Sequence, residues 1–203
     1  MTKLILASNN EKKIEEIKEI LKDLSLEIKS LKDEGIDIDV VEDGDTFKAN
    51  SFKKANEIKE YLLSKGKENF IVMADDSGLM VDYLNGAPGV YSARYAGEHG
   101  NDEKNNKKLL RELSGVEGDK RGAKFICYIT LVNDKNDTTG FYGEVEGQIL
   151  EELNGAGGFG YDPLFFNEEL KKTFGEASKE EKNKISHRGN ALKQLGEEIK
   201  KLL

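Results

Sequence analysis

Two adjacent acidic residues are the strongest candidates for chemistry in this sequence. Asp75 and Asp76 follow the apolar run Phe70–Ala74, which predicts a buried strand that ends at the two carboxylates. Side chains that follow each other along a strand point to opposite faces, so the two need not do the same job. One can ligate Mg²⁺, a hard ion that prefers oxygen ligands, while the other accepts a proton from water. The structural alternative is a solvated turn with an aspartate cap.

A second candidate site lies at the turn between the first strand and the first helix. The segment Ser8-Asn9-Asn10-Glu11-Lys12-Lys13 follows an apolar run and precedes residues at helical spacing. Backbone N–H groups at a helix N-terminus carry partial positive charge and bind phosphate. Ser8 and Asn10 add side-chain donors, and Lys13 lies in the first helical turn. The alternative is that Ser8 or Asn10 serves only as an N-cap.

Three further segments are weaker candidates. The acidic run Glu42–Asp45 precedes a long helix, where it can supply a metal carboxylate or simply complement the helix dipole. Phe159 and Tyr161 lie in a glycine-rich loop and offer flat faces on which a base can stack. The segment Ser186–Gly189 contains a histidine beside an arginine and follows Lys182, a combination suited to donating hydrogen bonds to a carbonyl or phosphate.

The elements that position these residues alternate between strands and helices. Apolar runs and alternation predict strands at Lys3–Ala7, Leu26–Leu31, Phe70–Ala74, Lys124–Val132 and Phe141–Leu150. Apolar residues at helical spacing predict helices at Glu11–Leu24, Thr46–Ser64, Asp102–Leu113 and Asn190–Leu203. Such alternation indicates an α/β fold. With no repeat or linker in the sequence, we expect a single domain over residues 1–203.

Composition excludes several classes of protein. The 203 residues carry a formal net charge of -8, which argues against binding nucleic acid but not against binding a small phosphorylated ligand beside a metal ion. The apolar runs fall far short of the ~20 residues of a membrane helix, and polar residues follow Leu6 too early for a signal peptide. Cys127 stands alone, which excludes an intrachain disulfide. We expect a soluble, cytoplasmic protein without a nucleic-acid or membrane partner.

Five segments together resemble the inosine triphosphate pyrophosphatase family, whose members hydrolyse non-standard purine nucleotides. In chain order, they are Ser8-Asn9-Asn10-Glu11-Lys12-Lys13, Ala74-Asp75-Asp76-Ser77-Gly78, Gly86-Ala87-Pro88-Gly89-Val90-Tyr91-Ser92-Ala93-Arg94-Tyr95, Gly157-Gly158-Phe159-Gly160-Tyr161-Asp162-Pro163 and Ser186-His187-Arg188-Gly189. They extend over nearly the whole chain in the family's order. Five such segments are far more specific than any one of them.

The resemblance implies a fold, an activity and a set of site residues. The fold is an elongated mixed β-sheet flanked by helices, with two lobes around a central cleft, and the protein is a homodimer. The activity is Mg²⁺-dependent cleavage of ITP, dITP and XTP to the monophosphate and pyrophosphate. The resemblance makes Asp76 the catalytic proton acceptor and a metal ligand with Glu42 and Asp75. It assigns substrate binding to Ser8, Asn9, Asn10, Glu11, Lys12, Lys13, Ser77, Phe159, Gly160, Tyr161, Asp162, Lys182, His187 and Arg188.

Some choices stay open at the level of sequence. Asn9 and Lys12 stand where the family often has glycine, which predicts a less flexible phosphate loop. Asp43 is an alternative to Glu42 as metal ligand, and the roles of Asp75 and Asp76 are not separable. A related enzyme for pyrimidine or modified nucleotides and a non-catalytic nucleotide-binding module are the competing functions. The Ser186–Arg188 segment favours purines, and a mere binding module has no use for the acidic residues.

Overall fold

The structure, a computed structural model, contains one mixed β-sheet with helices packed on it. It describes residues 3–24 and 26–202, with side chains as far as Ile199. The strands are β1 (Lys3–Leu6), β2 (Glu27–Ser30), β3 (Phe70–Val81), β4 (Gly122–Asn133), β5 (Thr138–Ile149), β6 (Phe165–Asn167) and β7 (Lys172–Thr173). The helices are α1 (Glu11–Ile20), α2 (Phe47–Ser64), α3 (Asp102–Glu112), α4 (Lys179–Ile185) and α5 (His187–Leu202).

The sheet combines parallel and antiparallel pairs. Its seven strands lie in the order β2-β1-β3-β4-β5-β6-β7. β1 is parallel to both β2 and β3, whereas β6 is antiparallel to β5 and β7. β4 and β5 are neighbours joined only by residues 134–137, so they form an antiparallel hairpin, since a parallel crossover needs a dozen or more residues. The predicted α/β class and mixed sheet are confirmed.

The described residues divide into two compact units. The first contains the chain up to Asp76, Cys127–Gly143 and the segment from Asn190 onward. Its β1 is buried on both faces: Leu4 and Leu6 pack in a cluster with side chains of α1 and α5, and Ile5 packs with side chains of α2. This explains why β1 reads as a continuous apolar run instead of an alternating one. Cys127 is buried in the first of these clusters, as expected of a small core residue.

The second unit consists of Ser77–Ile126 and Glu144–Gly189. Its core contains a group of aromatic rings among aliphatic side chains, and the centres of the Phe125 and Phe165 rings lie 4.6 Å apart. Arg121 is also buried here, where its guanidinium donates to the backbone carbonyls of Leu113, Ile149 and Leu150. These bonds replace the water that a buried cation loses.

The sequence prediction for the third strand is too short. β3 continues through Asp75-Asp76-Ser77-Gly78 as far as Val81. The two aspartates resemble a turn, but Lys13 contacts the Asp75 carboxylate and Asn50 contacts that of Asp76. Beyond them the buried Leu79 and Val81 resume the strand pattern. The carboxylates therefore lie within a strand and not in a solvated turn.

The region before the last helix also differs from the prediction. α4 is absent from the sequence prediction, although Ser178 and Glu181 form a capping box that marks its start. α5 begins at His187 instead of Asn190, with the Gly189 N–H donating to the Ser186 hydroxyl at 3.1 Å. His187 and Arg188 therefore belong to a helical turn. The predicted last residue of this helix, Leu203, lies outside the described residues.

None of the helices in the described part of the chain has the length and apolar composition needed to cross a membrane.

Candidate active site

The turn between β1 and α1 is built as a capped helix N-terminus. Asn10 is the N-cap, and its side-chain oxygen accepts the Lys13 N–H at 3.1 Å. The Ser8 hydroxyl accepts the Asn10 N–H at 3.2 Å, and the Asn9 amide donates to the Ile38 carbonyl at 3.1 Å. The structural role proposed as an alternative is therefore present for Asn10. It is compatible with phosphate binding, because the cap satisfies only one of the orphan N–H groups of the first turn.

Asp75 and Asp76 are both buried, with exposed fractions of 2% and 5%. The Lys13 ammonium lies 3.2 Å from Asp75 Oδ2, which brings the first two candidate segments together. Burial raises the pKa of Asp76 above its ordinary value, because the loss of water disfavours the charged form more than Lys54 and Lys13 favour it. A buried carboxylate with a raised pKa is suited to accept a proton.

Lys54 lies among three carboxylates of the first unit. Its ammonium donates to Glu42 Oε1 and, at 2.7 Å, to the Asp75 carbonyl. Burial opposes the charge of Lys54, but Asp76, Glu42 and Asp75 outweigh it and raise the Lys54 pKa. Burial also opposes the charge of Glu42, yet attraction to Lys54 lowers the Glu42 pKa overall.

The position of Asp43 differs from that of Glu42. Asp43 pairs with Lys53 at 2.7 Å on the exposed side of the same loop. Its hydrogen bond to Lys53 lowers the Asp43 pKa. Of the two alternatives for the acidic run, only Glu42 therefore lies with Lys54 and the buried aspartates.

Two residues of this cluster escaped the sequence analysis, namely Lys54 and Asn50. The Asn50 amide nitrogen donates to Asp76 Oδ2 at 3.0 Å. The sequence does contain an indication of their burial, because Asn50 and Lys54 lie at helical spacing from the buried Ile58 and therefore on the same face of α2. Polar residues that recur on the apolar face of an amphipathic helix have a buried partner.

The donor chemistry of this cluster suits Mg²⁺. Glu42, Asp75 and Asp76 offer carboxylate oxygens only, and their repulsion is relieved by the ammonium groups of Lys13 and Lys54. Three carboxylates beside two ammonium groups leave a net negative charge, which favours binding of a hard cation. Within the described residues, however, no three metal-binding side chains of the His, Cys, Asp or Glu type converge closely enough to form a ready-made cage.

The second unit contains a cluster of cations around Phe159. The Lys182 ammonium pairs with Asp162 Oδ2 at 2.7 Å and lies 4.6 Å from the centre of the Phe159 ring. The Arg188 guanidinium is 5.8 Å from the same ring and donates to the Ser77 hydroxyl at 3.0 Å. A half-buried aromatic face beside two cations can hold a flat ligand that carries carbonyl groups.

His187 and Tyr161 are packed into the second unit. The His187 ring stacks on the Phe125 ring at 4.8 Å. The sequence predicts an exposed stacking face for Tyr161, but the ring lies in the aromatic core, where its hydroxyl donates to the Ser92 carbonyl at 2.8 Å. Burial raises the Tyr161 pKa. Tyr161 therefore supports the loop instead of presenting its ring to a base.

Helix α3 supports the same loop through two residues that the sequence analysis missed. The Asp102 carboxylate accepts the Gly160 N–H at 2.8 Å, and the Asn106 amide donates to the Gly160 carbonyl at 2.8 Å. Asp162 completes the support by accepting the Phe159 N–H at 2.8 Å. Side-chain hydrogen bonds from α3 and from Asp162 therefore fix the backbone of Phe159 and Gly160.

Comparison with known proteins gives a consistent result over the whole chain. The model of the Ham1 family matches residues 4–198. A Clostridium perfringens protein named dITP/XTP pyrophosphatase is 65% identical over 203 residues, which is 100% of both chains. One of the same name from Clostridium tetani is 50% identical and covers 98% of this chain and 97% of its own.

Solved structures agree with these relatives. The Ham1 protein of Staphylococcus aureus is similar with a TM-score of 0.85 and 40% identity, covering 100% of both chains. A nucleoside-triphosphatase, or dITP/XTP pyrophosphatase, of Mycobacterium abscessus is similar with a TM-score of 0.74 and 39% identity, covering 96% of this chain and 98% of its own.

Proposed function

Because this chain belongs to the Ham1 family, we propose that it hydrolyses non-standard purine nucleoside triphosphates such as ITP, dITP and XTP to the monophosphate and pyrophosphate. The observation that carries the proposal is the buried acidic cluster of the first unit. In that cluster Asp75 and Asp76 meet Lys13 of the phosphate-binding turn. A pocket that only binds nucleotides has no need of buried carboxylates close to its phosphate site, since they repel the ligand.

The first unit supplies the groups for phosphate and water. The N–H groups of the first turn of α1, together with Ser8 and Lys13, bind phosphate oxygens. Asp76 takes a proton from the attacking water, for which its raised pKa is favourable. Lys13 and Lys54 offset the negative charge that develops on the leaving pyrophosphate.

Glu42, Asp75 and Asp76 would hold Mg²⁺ in this proposal. When bound, the ion supplies positive charge that neutralises phosphate oxygens during cleavage. Lys54 contacts Glu42 and the Asp75 carbonyl, so its ammonium group keeps these acidic residues together when Mg²⁺ is not bound.

Residues around Phe159 supply the groups for the base in this proposal. Arg188 and His187 donate toward the 6-carbonyl oxygen of inosine or xanthosine, and Phe159 stacks on the ring. Adenine presents an amino group at that position, so a donor would face a donor. Unpaired buried polar groups cost about 1–3 kcal/mol each, so rejection of ATP by ~10²-fold or more is expected. The dITP/XTP names of the relatives favour this purine assignment over the pyrimidine alternative.

The deciding experiment separates the two phosphate products. The protein is incubated with Mg²⁺ and ITP, XTP, GTP or ATP, and pyrophosphate is assayed separately from orthophosphate. Pyrophosphate from ITP and XTP supports the proposal, whereas orthophosphate means γ-phosphate cleavage and rejects it. Nucleotide binding without turnover would support the non-catalytic module.

A matched pair of variants tests the proton acceptor. Asp76→Asn should lower kcat by ~10²–10⁴-fold, because a general base is lost. Asp43→Asn changes an exposed aspartate of the neighbouring loop and should leave kcat unchanged. Near-normal turnover of Asp76→Asn at saturating Mg²⁺ would remove Asp76 from the mechanism.

We place this activity in the cytoplasm, where the nucleotide pool is, and expect a homodimer. The resemblance to the family supports both statements. Sedimentation velocity at micromolar concentration tests the second, and a single monomer boundary would contradict it.

A further inference from the structure

The side chain of Asn50 joins two parts of the acidic cluster. Asn50 lies on α2 and has an exposed fraction of 0%. Its amide nitrogen donates to Asp76 Oδ2 at 3.0 Å, and its amide oxygen accepts the Gly44 N–H at 2.8 Å. One side chain thus contacts both the candidate base and the loop that carries Glu42.

We propose that Asn50 is a positioning residue that sets the orientation of the Asp76 carboxylate and keeps the Glu42 loop in register with it. The proposal rests on the function proposed above, because it concerns how Asp76 and Glu42 are presented to the reaction. Asn50 itself touches neither substrate nor metal in this role. It acts through Asp76 and through the backbone at Gly44.

The direction of the amide follows from its two partners. A backbone N–H can only donate, so the atom of Asn50 that faces Gly44 must be the oxygen. The NH₂ group is thereby turned toward Asp76. A carboxylate turns broadly about its terminal bond, and a fixed donor on Oδ2 removes that freedom and directs Oδ1 elsewhere. Because the donor is neutral, it orients Asp76 without adding another charge to the cluster.

The contact between Gly44 and Asn50 requires a glycine in the loop. A Cβ atom at this position would lie 2.8 Å from the Asn50 amide oxygen and 3.0 Å from the Ala49 Cβ. Glycine is therefore what allows the loop backbone to reach the amide of Asn50. Gly44→Ala would push the loop away without leaving a new buried polar group in the core.

Ser51 provides a matched control. It is the next residue on α2 and also has an exposed fraction of 0%. Its hydroxyl lies 2.6 Å from the Thr130 hydroxyl and 3.2 Å from the Ala74 carbonyl. Neither partner is an acidic side chain, so Ser51→Ala reports the cost of removing buried hydrogen bonds from the same helix turn.

Three variants test the two contacts of Asn50. Asn50→Leu keeps the branched shape of the side chain and removes both hydrogen bonds. Asn50→Asp keeps an acceptor for Gly44 but places a carboxylate oxygen against Asp76. Gly44→Ala acts on the loop contact and leaves the Asn50 side chain chemically unchanged. We measure kcat and KM for ITP, the melting temperature and, without nucleotide, the affinity for Mn²⁺ by electron paramagnetic resonance.

Loss of a group that orients an active-site ligand typically costs 10–100-fold in activity or metal affinity. We therefore expect Asn50→Leu and Asn50→Asp to lower kcat by about 10–100-fold with KM changed less than about 3-fold. Asn50→Leu and Gly44→Ala should also weaken Mn²⁺ binding. Ser51→Ala should lower the melting temperature while its kcat and Mn²⁺ affinity stay within about 2-fold of the wild type.

Three results would overturn the inference. One is a wild-type kcat in Asn50→Asp, which would reduce Asn50 to an anchor for the loop. Another is a loss of kcat in Ser51→Ala equal to that of Asn50→Leu, which would make both effects structural. The third is unchanged Mn²⁺ affinity in Asn50→Leu and Gly44→Ala. A wild type that releases no pyrophosphate rejects the proposed function instead, and the Mn²⁺ data still decide the role of Asn50.

Discussion

The buried ion pair of Lys182 and Asp162 allows a quantitative prediction. The two side chains have exposed fractions of 5% and 3%, and their charged atoms are 2.7 Å apart. Lys182 also lies 4.6 Å from the Phe159 ring, and Asp162 accepts the Phe159 N–H. Lys182→Met keeps most of the length of the side chain and removes its charge, which leaves the Asp162 carboxylate buried without this ammonium.

The expected loss of stability is large. Removing one partner of a buried ion pair typically costs about 3–5 kcal/mol. For a chain of this size each kcal/mol lowers the melting temperature by roughly 2–4 °C, so a fall of about 6–20 °C is expected. Removing both charges costs less, because no uncompensated ion remains. The double variant Lys182→Met with Asp162→Asn should therefore melt above the Lys182→Met single variant.

Calorimetry of the wild type, both single variants and the double variant completes a double-mutant cycle. A control, Lys120→Met, removes an exposed lysine that pairs with Glu117 in the same unit and should shift the melting temperature little. If the losses of the two single variants simply add in the double variant, the two charges are not coupled. The argument for a coupled buried ion pair at the proposed base site would then be refuted.

Three further outcomes are expected. Lys13→Ala should raise KM and lower kcat for ITP, since Lys13 lies beside Asp75 at the phosphate-binding turn, and steady-state kinetics with both constants unchanged would contradict this. Arg188→Ala should reduce the ratio of kcat/KM for ITP over ATP, and an unchanged ratio would move base recognition away from Arg188. A backbone hydrogen bond from Ser30, then its hydroxyl and Lys18, lower the Asp33 pKa to about 2. This folded value lies below the ordinary one of 3.8, so Asp33 stabilises the fold above about pH 4 and the contribution disappears as pH falls toward 2. NMR titration of Asp33 checks it, and a pKa near 3.8 would contradict it.

Local patterns were enough for much of the fold and for the family. The helical spacing that predicts a helix over Thr46–Ser64 agrees with α2, because burial of one apolar face requires that spacing whatever the partner. Five segments together, among them Ser8–Lys13 and the one that contains Asp75-Asp76, indicated the family, which the match over residues 4–198 confirms. The individual roles given to the site residues remain predictions.

The sequence was misleading where polar residues interrupt an element. Asp75-Asp76-Ser77-Gly78 looks like a turn but continues β3, because Asn50 and Lys13 lie against the carboxylates. The capping box at Ser178 indicates the start of a helix in the sequence, yet the sequence prediction does not include α4.

The sequence alone determined which residue types are present and where an apolar face must be buried, because helix and strand periods are local properties of the chain. Tertiary structure decided which polar groups meet. Asn50 reaches Asp76 across 26 positions and Lys182 reaches Asp162 across 20, and many other lysines were equally available by type. The sequence pattern around a charged or amide side chain does not indicate which distant residue it will contact. Its partner is set only when the helices and strands that carry both groups have packed, since burial then makes an unpaired polar group costly.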